Sequence, residues 1–176
     1  MIAAVRAISD RFIYDCAHVK HLITAMEPAA LDAGVPGSDW NARQLAGHLA
    51  TSLETYDAIL GRWFNGERAI PDDWDPNVDN AHQATRYRDA TVEHLVDDLD
   101  ATLPALISSL ARMDDEWIAR PIGWFPAIDA LTAWSDHIRH HGAEIAARAG
   151  DLANGPLVAG WLRESHITKP EAQNAP

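Results

Sequence analysis

The chain has 176 residues, of which 14 are Lys or Arg and 26 are Asp or Glu, so its formal net charge is −12. That length suits one domain with its own hydrophobic core, and the negative charge argues against nucleic acid and anionic lipid as general partners. A single cysteine, Cys16, excludes an internal disulfide. Because the start of the chain is charged and no apolar run reaches about 18 residues, we predict a cytoplasmic protein without a membrane span.

Four long stretches carry apolar residues three and four apart, which is the period of a helix with one buried face. The first covers roughly residues 2–26 and ends before Pro28. The second covers about 40–64, and Ser38 or Asp39 can cap its start. Both are long enough to span a small domain.

An acidic connection over residues 65–80 follows, and its length is typical of a lid or a pocket wall. The third helical stretch runs from about 81 to 113, and it allows a break near Asp89-Ala90 and a bend at Pro104. No segment shows the alternation expected of a strand.

The fourth helix covers roughly Asp129–Arg148 and is closed by Gly150. One more short helix is expected near 157–163. We therefore predict a single all-α domain over residues 1–165, a four-helix bundle with a short extra C-terminal helix. The polar end at 166–176 is predicted to be a disordered tail.

Three histidines stand within five residues of the fourth helix, at His137, His140 and His141. His137 and His141 are four apart on the apolar face, whereas His140 lies about 100° round from His141. On the second helix, His48 lies beside the apolar stripe, and Gly47 would let another backbone or a ligand approach closely. Three neutral imidazoles from two helices can bind one divalent metal ion and leave coordination positions open. The alternative is that these histidines are ordinary core residues.

Two short motifs of this chain resemble motifs of the DinB-like superfamily. One is Trp40 followed eight residues later by His48, and the other is the HxxxH pair with a small residue and then Glu-Ile. Residues 35–50 are also similar to the N-terminal domains of mycothiol-dependent maleylpyruvate isomerases. The resemblance implies a four-helix bundle that binds a divalent metal, zinc or nickel, through His48, His137 and His141.

The isomerases carry glutamate at the position of His137. The histidine found here instead matches a branch of the superfamily that has three histidines and includes thiol S-transferases. No sign of the further C-terminal domain of full-length isomerases is seen, which argues against that specific isomerisation. We therefore predict an enzyme whose metal activates a low-molecular-weight thiol such as mycothiol. The thiol would be transferred to a small electrophile or would assist an isomerisation.

Four further residues are predicted to belong to the site. Glu144 is assigned a catalytic role, either by orienting His141 or by touching the substrate, and Thr55, Tyr56 and Arg148 are assigned to thiol or substrate binding. Arg148 lies one turn further along the same helical face and would suit a carboxylate. The alternative for Arg148 is a surface or helix-end position.

Two other functions stay open at this point. Activation of water instead of a thiol would make the protein a metal-dependent hydrolase with Glu144 as its base. A bundle without catalytic activity would bind a small molecule or a protein partner. A homodimer is a further expectation, and Cys16, on the apolar stripe of the first helix, is predicted to be a buried small residue and not a nucleophile.

Overall fold

The computed structural model describes residues 1–35, 39–150, 158, 160 and 161. Its helices are α1 (Ala3–Ala25), α2 (Pro28–Asp32), α3 (Ala42–Phe64), α4 (Pro76–Arg86), α5 (Val92–Ala111), α6 (Asp115–Ile118) and α7 (Ala127–Ala146). Two short strands, β1 (Pro121–Ile122) and β2 (Phe125–Pro126), form an antiparallel hairpin before α7. The predicted all-α bundle is confirmed. The hairpin was not predicted, because two-residue strands are too short to show alternation.

The four long helices α1, α3, α5 and α7 form the bundle. Helix α1 packs against α5 and α7, and α3 packs against the same two helices. Each long helix therefore has two long neighbours, and their buried faces meet in one hydrophobic core. The α1 stripe predicted from the sequence is buried, including Val5, Phe12, Cys16 and Leu22. Because α3 and α7 are neighbours, side chains from both can meet between them.

Helix α3 begins two residues later than predicted, and neither suggested residue caps it. Asn41 is the N-cap: its side chain accepts a hydrogen bond from the Gln44 backbone N–H, and the Gln44 side chain accepts one from the Asn41 N–H, both at 2.9 Å. This reciprocal pair satisfies two donors at the helix start. Ser38 lies outside the described residues.

The third predicted helix is two helices. The break near residues 89–90 is confirmed, with α4 ending at Arg86 and Thr91 capping α5. Helix α4 also begins earlier than predicted, inside the stretch expected to be a loop, because Asp75 caps it and Pro76 occupies its first turn. Pro104 lies inside α5, which continues past it to Ala111.

The C-terminal end of the bundle is described only in part. Most of the short helix predicted near 157–163, and all of the predicted tail at 166–176, lie outside the described residues. Val158, Gly160 and Trp161 are helical, and Trp161 is buried. The single domain over residues 1–165 stays a prediction. Among the described helices, none combines the length and hydropathy needed to cross a bilayer.

Candidate metal centre

Helices α3 and α7 bring the three predicted histidines together. One ring nitrogen from each of His48, His137 and His141 can be chosen so that the three atoms lie within 4.8 Å of one another. His48 Nε2 is 3.1 Å from His137 Nε2, and the three ring centroids are 4.6 to 5.1 Å apart. Neighbouring nitrogens of a tetrahedral zinc site are about 3.3 Å apart, as follows from zinc–nitrogen bonds of about 2.0 Å. The cluster therefore has close to the spacing that one bound ion requires.

Two of the three imidazoles are oriented by an oxygen acceptor on the side away from the cluster. His48 Nδ1 donates to Gln83 Oε1 of α4 at 2.6 Å, and His141 Nδ1 donates to the Glu144 carboxylate at 2.5 Å. A proton on Nδ1 leaves the lone pair on Nε2, which is the atom a metal would bind. Burial raises the pKa of Glu144, but the hydrogen bond from His141 and the electrostatic effect of the nearby imidazoles of His141, His140 and His48 together outweigh it, so the pKa is held below its usual value.

The third imidazole is held by Tyr56, one of the predicted site residues. The Tyr56 hydroxyl lies 2.8 Å from His137 Nδ1, and its ring stacks on Trp134 at 4.5 Å with 4° between the planes. Burial raises the pKa of Tyr56 far above its usual value, although a hydrogen bond with Ser52 lowers it in part, so the hydroxyl keeps its proton. Tyr56 therefore fixes the His137 ring without supplying charge.

Both of the more deeply placed imidazoles are neutral at pH 7. Burial lowers the pKa of His137 to about 3, helped by the neighbouring imidazoles of His141, His48 and His140. Burial also lowers the pKa of His48, although its hydrogen bond with Gln83 opposes the change. Neutral imidazole is the form that binds a metal ion, and borderline-soft divalent ions such as zinc and nickel accept such nitrogens. The residues present therefore fit the implied metal.

The histidine cluster faces a cavity of about 520 Å³. Aromatic side chains form much of its wall: Trp40, Tyr56, Trp74 and Trp134. The segment predicted as an acidic loop contributes Ile70 and Trp74, and α4 contributes further residues. Its interpretation as a pocket wall therefore agrees with where these side chains lie, even though part of it is helical.

The structure distributes the remaining predicted site residues among three places. Thr55 and Tyr56 line the histidine cavity. Glu144 contacts His141 and does not line that cavity. Arg148 lines a different cavity beside Met26. The extrapolation of a helical face to Arg148 does not hold, because α7 ends at Ala146 and Arg148 lies beyond it.

Gln83 and Tyr87 were missed by the sequence reasoning. Gln83 reaches His48 from α4, and no spacing within the sequence indicates a contact 35 residues away. Gly47 was expected to admit a backbone or a ligand, but the Tyr87 ring occupies that space: a Cβ on Gly47 would lie 2.0 Å from the ring. The glycine was a usable signal of close approach, although the approaching group could not be named from it.

Comparisons with known proteins agree with this architecture. A sequence model of the DinB superfamily matches residues 17–145. A crystal structure of the mycothiol-dependent maleylpyruvate isomerase, determined as a histidine-to-alanine mutant, is similar with a TM-score of 0.67 and 11% sequence identity. The likeness covers 82% of this chain and 63% of that chain, so this chain spans less than two thirds of that protein. At such identity the likeness shows a shared fold. No curated protein sequence matches the chain.

Proposed function

The chain belongs to the DinB superfamily, and we propose that its three-histidine cluster binds a divalent metal ion, with zinc preferred and nickel as the alternative, and activates a low-molecular-weight thiol. The proposal rests on the hydrogen-bond partners of the three imidazoles. Each Nδ1 has a partner in Gln83, Tyr56 or Glu144, and the Nε2 atoms of His48 and His137 meet at 3.1 Å. Such outer hydrogen bonds fix the orientation of metal ligands.

A bound divalent cation lowers the pKa of a coordinating thiol, so that the thiolate forms at neutral pH. The residues of this chain have simpler tasks. His48, His137 and His141 hold the ion, and Tyr56 keeps the His137 ring in place through its neutral hydroxyl. The Thr55 hydroxyl lines the cavity, where it can hydrogen-bond the thiol or the substrate. The aromatic walls limit the access of water to the reacting centre, so that water competes less with the thiolate for the electrophile.

Mycothiol is the thiol we propose first. Its support is the fold shared with a mycothiol-dependent isomerase, together with the cavity beside the histidines. The reaction is S-transfer to a small electrophile or a thiol-dependent isomerisation. The cytoplasmic location and the homodimer stay predictions.

The first experiment measures metal in the untagged protein by elemental analysis. Near-stoichiometric zinc or nickel is expected in the wild type, and loss of that metal is expected in His48→Ala and in His141→Ala, since each removes one ligand. His21→Ala is the matched control, because His21 is exposed on α1 and lies away from the cluster. Wild-type protein that holds no metal after reconstitution with either ion would contradict the proposal.

The second experiment separates thiol chemistry from hydrolysis. Metal-loaded protein, mycothiol and a reactive electrophile are expected to form the S-conjugate faster than the uncatalysed mixture. Glu144→Gln is expected to reduce this rate only modestly, because the Glu144 carboxylate contacts His141 and does not line the cavity. A hydrolase using Glu144 as its base would instead lose its activity in that variant. No conjugation above background with mycothiol would refute the choice of thiol.

A further inference from the structure

We propose that the histidine cavity selects flat electrophiles that are uncharged or cationic and rejects anionic ones, with Asp79 as the residue that adds to the rejection. This inference rests on the proposed function only for the reaction in which the selected electrophile would take part. The binding preference itself depends only on the walls of the cavity. It is therefore testable without thiol and without metal.

The shape of the preferred ligand follows from the aromatic walls. The Tyr56 and Trp134 rings lie nearly parallel and in contact, so they form a rigid two-ring block along one side. Trp40 lies edge-on to His48 with ring centroids 4.9 Å apart, which places its indole close to the metal ligands. Trp74 lines the cavity from the segment before α4. Aromatic side chains bind planar ligands by offset stacking and edge contacts.

The charge preference follows from what lines the cavity. Among the cavity-lining residues that the structure describes, none is Lys or Arg, and the one carboxylate is Asp79. The uncharged polar groups there include Ser52, Thr55, Asn80 and Gln83. An anionic group placed away from the histidines would lose its hydration without gaining a cation. A cationic ligand would instead gain both the carboxylate and the faces of the aromatic rings.

The nearby arginines are bound to other carboxylates. Arg86, on α4 with Asp79, lies 3.3 Å from Asp98 and stacks over Tyr87. Arg68, in the segment that leads to Trp74, forms an ion pair with Asp72. A metal ion would add positive charge at the histidine end, where a bound thiolate would neutralise part of it. The remainder of the cavity therefore keeps its preference when the metal is present.

Asp79 also fixes one of the walls. Its Oδ2 accepts a hydrogen bond from the Trp74 indole N–H. A substitution that removes the charge should keep this acceptor if the wall is to stay in place. Asp79→Asn does so, because the amide oxygen can still accept the indole proton. Asp79→Lys places a cation at the same position. Asp73→Asn is the matched control, since Asp73 is exposed in the same segment and does not line the cavity.

The test uses three ligands that share one ring: 4-chloro-3-nitrobenzamide, 4-chloro-3-nitrobenzoate and (4-chloro-3-nitrobenzyl)trimethylammonium. Dissociation constants are measured on metal-free protein by calorimetry. We expect the amide and the ammonium ligand to bind at least about tenfold more tightly than the benzoate. The difference is expected to shrink in Asp79→Asn and to reverse in Asp79→Lys, while Asp73→Asn keeps the wild-type order. Equal binding of amide and benzoate by the wild type would overturn the selectivity, and an unchanged order in both Asp79 variants would overturn the role of Asp79.

The same ligands separate this inference from the proposed function. When metal-loaded protein and mycothiol are added, the S–C bond forms, the C–Cl bond breaks, and chloride and the thiol proton leave to solvent. Conjugation of the benzoate as fast as the amide would refute the selectivity and leave the thiol function standing. The expected order of binding without conjugation of any ligand would refute mycothiol as the thiol and leave the selectivity standing.

Discussion

Helix α7 carries two polar clusters on different faces, and they differ in how their polar atoms are used. The Asp15 cluster consists of Asp15, Arg139 and Trp161. Arg139 contacts both Asp15 carboxylate oxygens at 3.2 to 3.3 Å, and the Trp161 indole donates to Asp15 at 2.8 Å. Asp15 is fully buried. The described polar contacts of this cluster are with other groups of the protein. The cluster therefore joins α1 to α7, and these contacts do not form a binding site for a ligand.

The histidine cluster is arranged in the opposite way. Each Nδ1 is bound by a protein group, but the Nε2 atoms of His48 and His137 face one another beside a cavity. Both clusters are largely buried, so burial alone does not tell them apart. A candidate site is therefore recognised by which atoms the protein leaves for a ligand. Four substitutions or treatments test that distinction.

The largest effect is expected in the Asp15 cluster. Asp15→Asn keeps the side-chain shape and an acceptor for Trp161 but removes the carboxylate charge that faces the Arg139 guanidinium. The free energy of unfolding should fall by about 3 to 5 kcal/mol, the usual cost of breaking a buried ion pair from one side. Urea denaturation of metal-free protein measures it. His137→Ala removes a neutral group and should lower the free energy of unfolding by less. A larger loss in His137→Ala than in Asp15→Asn would contradict the structural role of the Asp15 cluster.

The second prediction concerns the packing behind His48. Gly47→Ala would place a Cβ inside the Tyr87 ring, so that α3 or Tyr87 must move. We expect a loss of about 1 to 3 kcal/mol in the free energy of unfolding and weaker metal binding. Gly61→Ala is the control on the same helix, since a Cβ there meets no atom within 4 Å, and it should be neutral or stabilising. Similar losses in the two variants would show that Tyr87 does not hold this helix.

The third prediction sharpens the role of the outer hydrogen bonds. Tyr56→Phe keeps the ring stacked on Trp134 but removes the hydroxyl that contacts His137 Nδ1. Metal affinity is expected to fall about tenfold, at the lower end of the effect of such partners. A competition titration with a chromophoric chelator measures it. Unchanged affinity, with the ring still in place, would show that His137 needs no orienting partner.

The smallest effect at neutral pH is expected at Cys16, which adjoins the Asp15 cluster. Burial and the Asp15 carboxylate raise the pKa of the Cys16 thiol from 9.0 to about 12. The native protein should therefore not react with a disulfide reagent at pH 8, whereas the urea-unfolded chain should react fully. Since the unfolded thiol loses its proton first, the free energy of unfolding should fall as pH rises from 9 towards 12. Rapid labelling of native protein would show that this side of the molecule is open.

Periodicity located the four long helices, because each buries a continuous stripe in one core, but it joined part of the separate helix α4 to α5. Two of the clustered histidines were predictable for the same reason, because His137 and His141 share a face within one helix. His48 needed the family resemblance as well. The roles of Gln83 and Tyr87 could not be predicted from the sequence, because their contacts depend on how α4 and the turn after it pack against α3. Arg148 was placed by extending a helix that ends two residues earlier.

The separation of the clustered histidines along the chain has a consequence for unfolding. His48 and His137 are 89 residues apart, so one ion bound to both would cross-link the chain and close a loop of about half its length. By the loop-closure relation such a link removes about 4 to 5 kcal/mol of entropy from the unfolded chain. With one cysteine the chain cannot make an internal disulfide. An ion in this cluster would act as its reversible cross-link, and chelation would lower the free energy of unfolding.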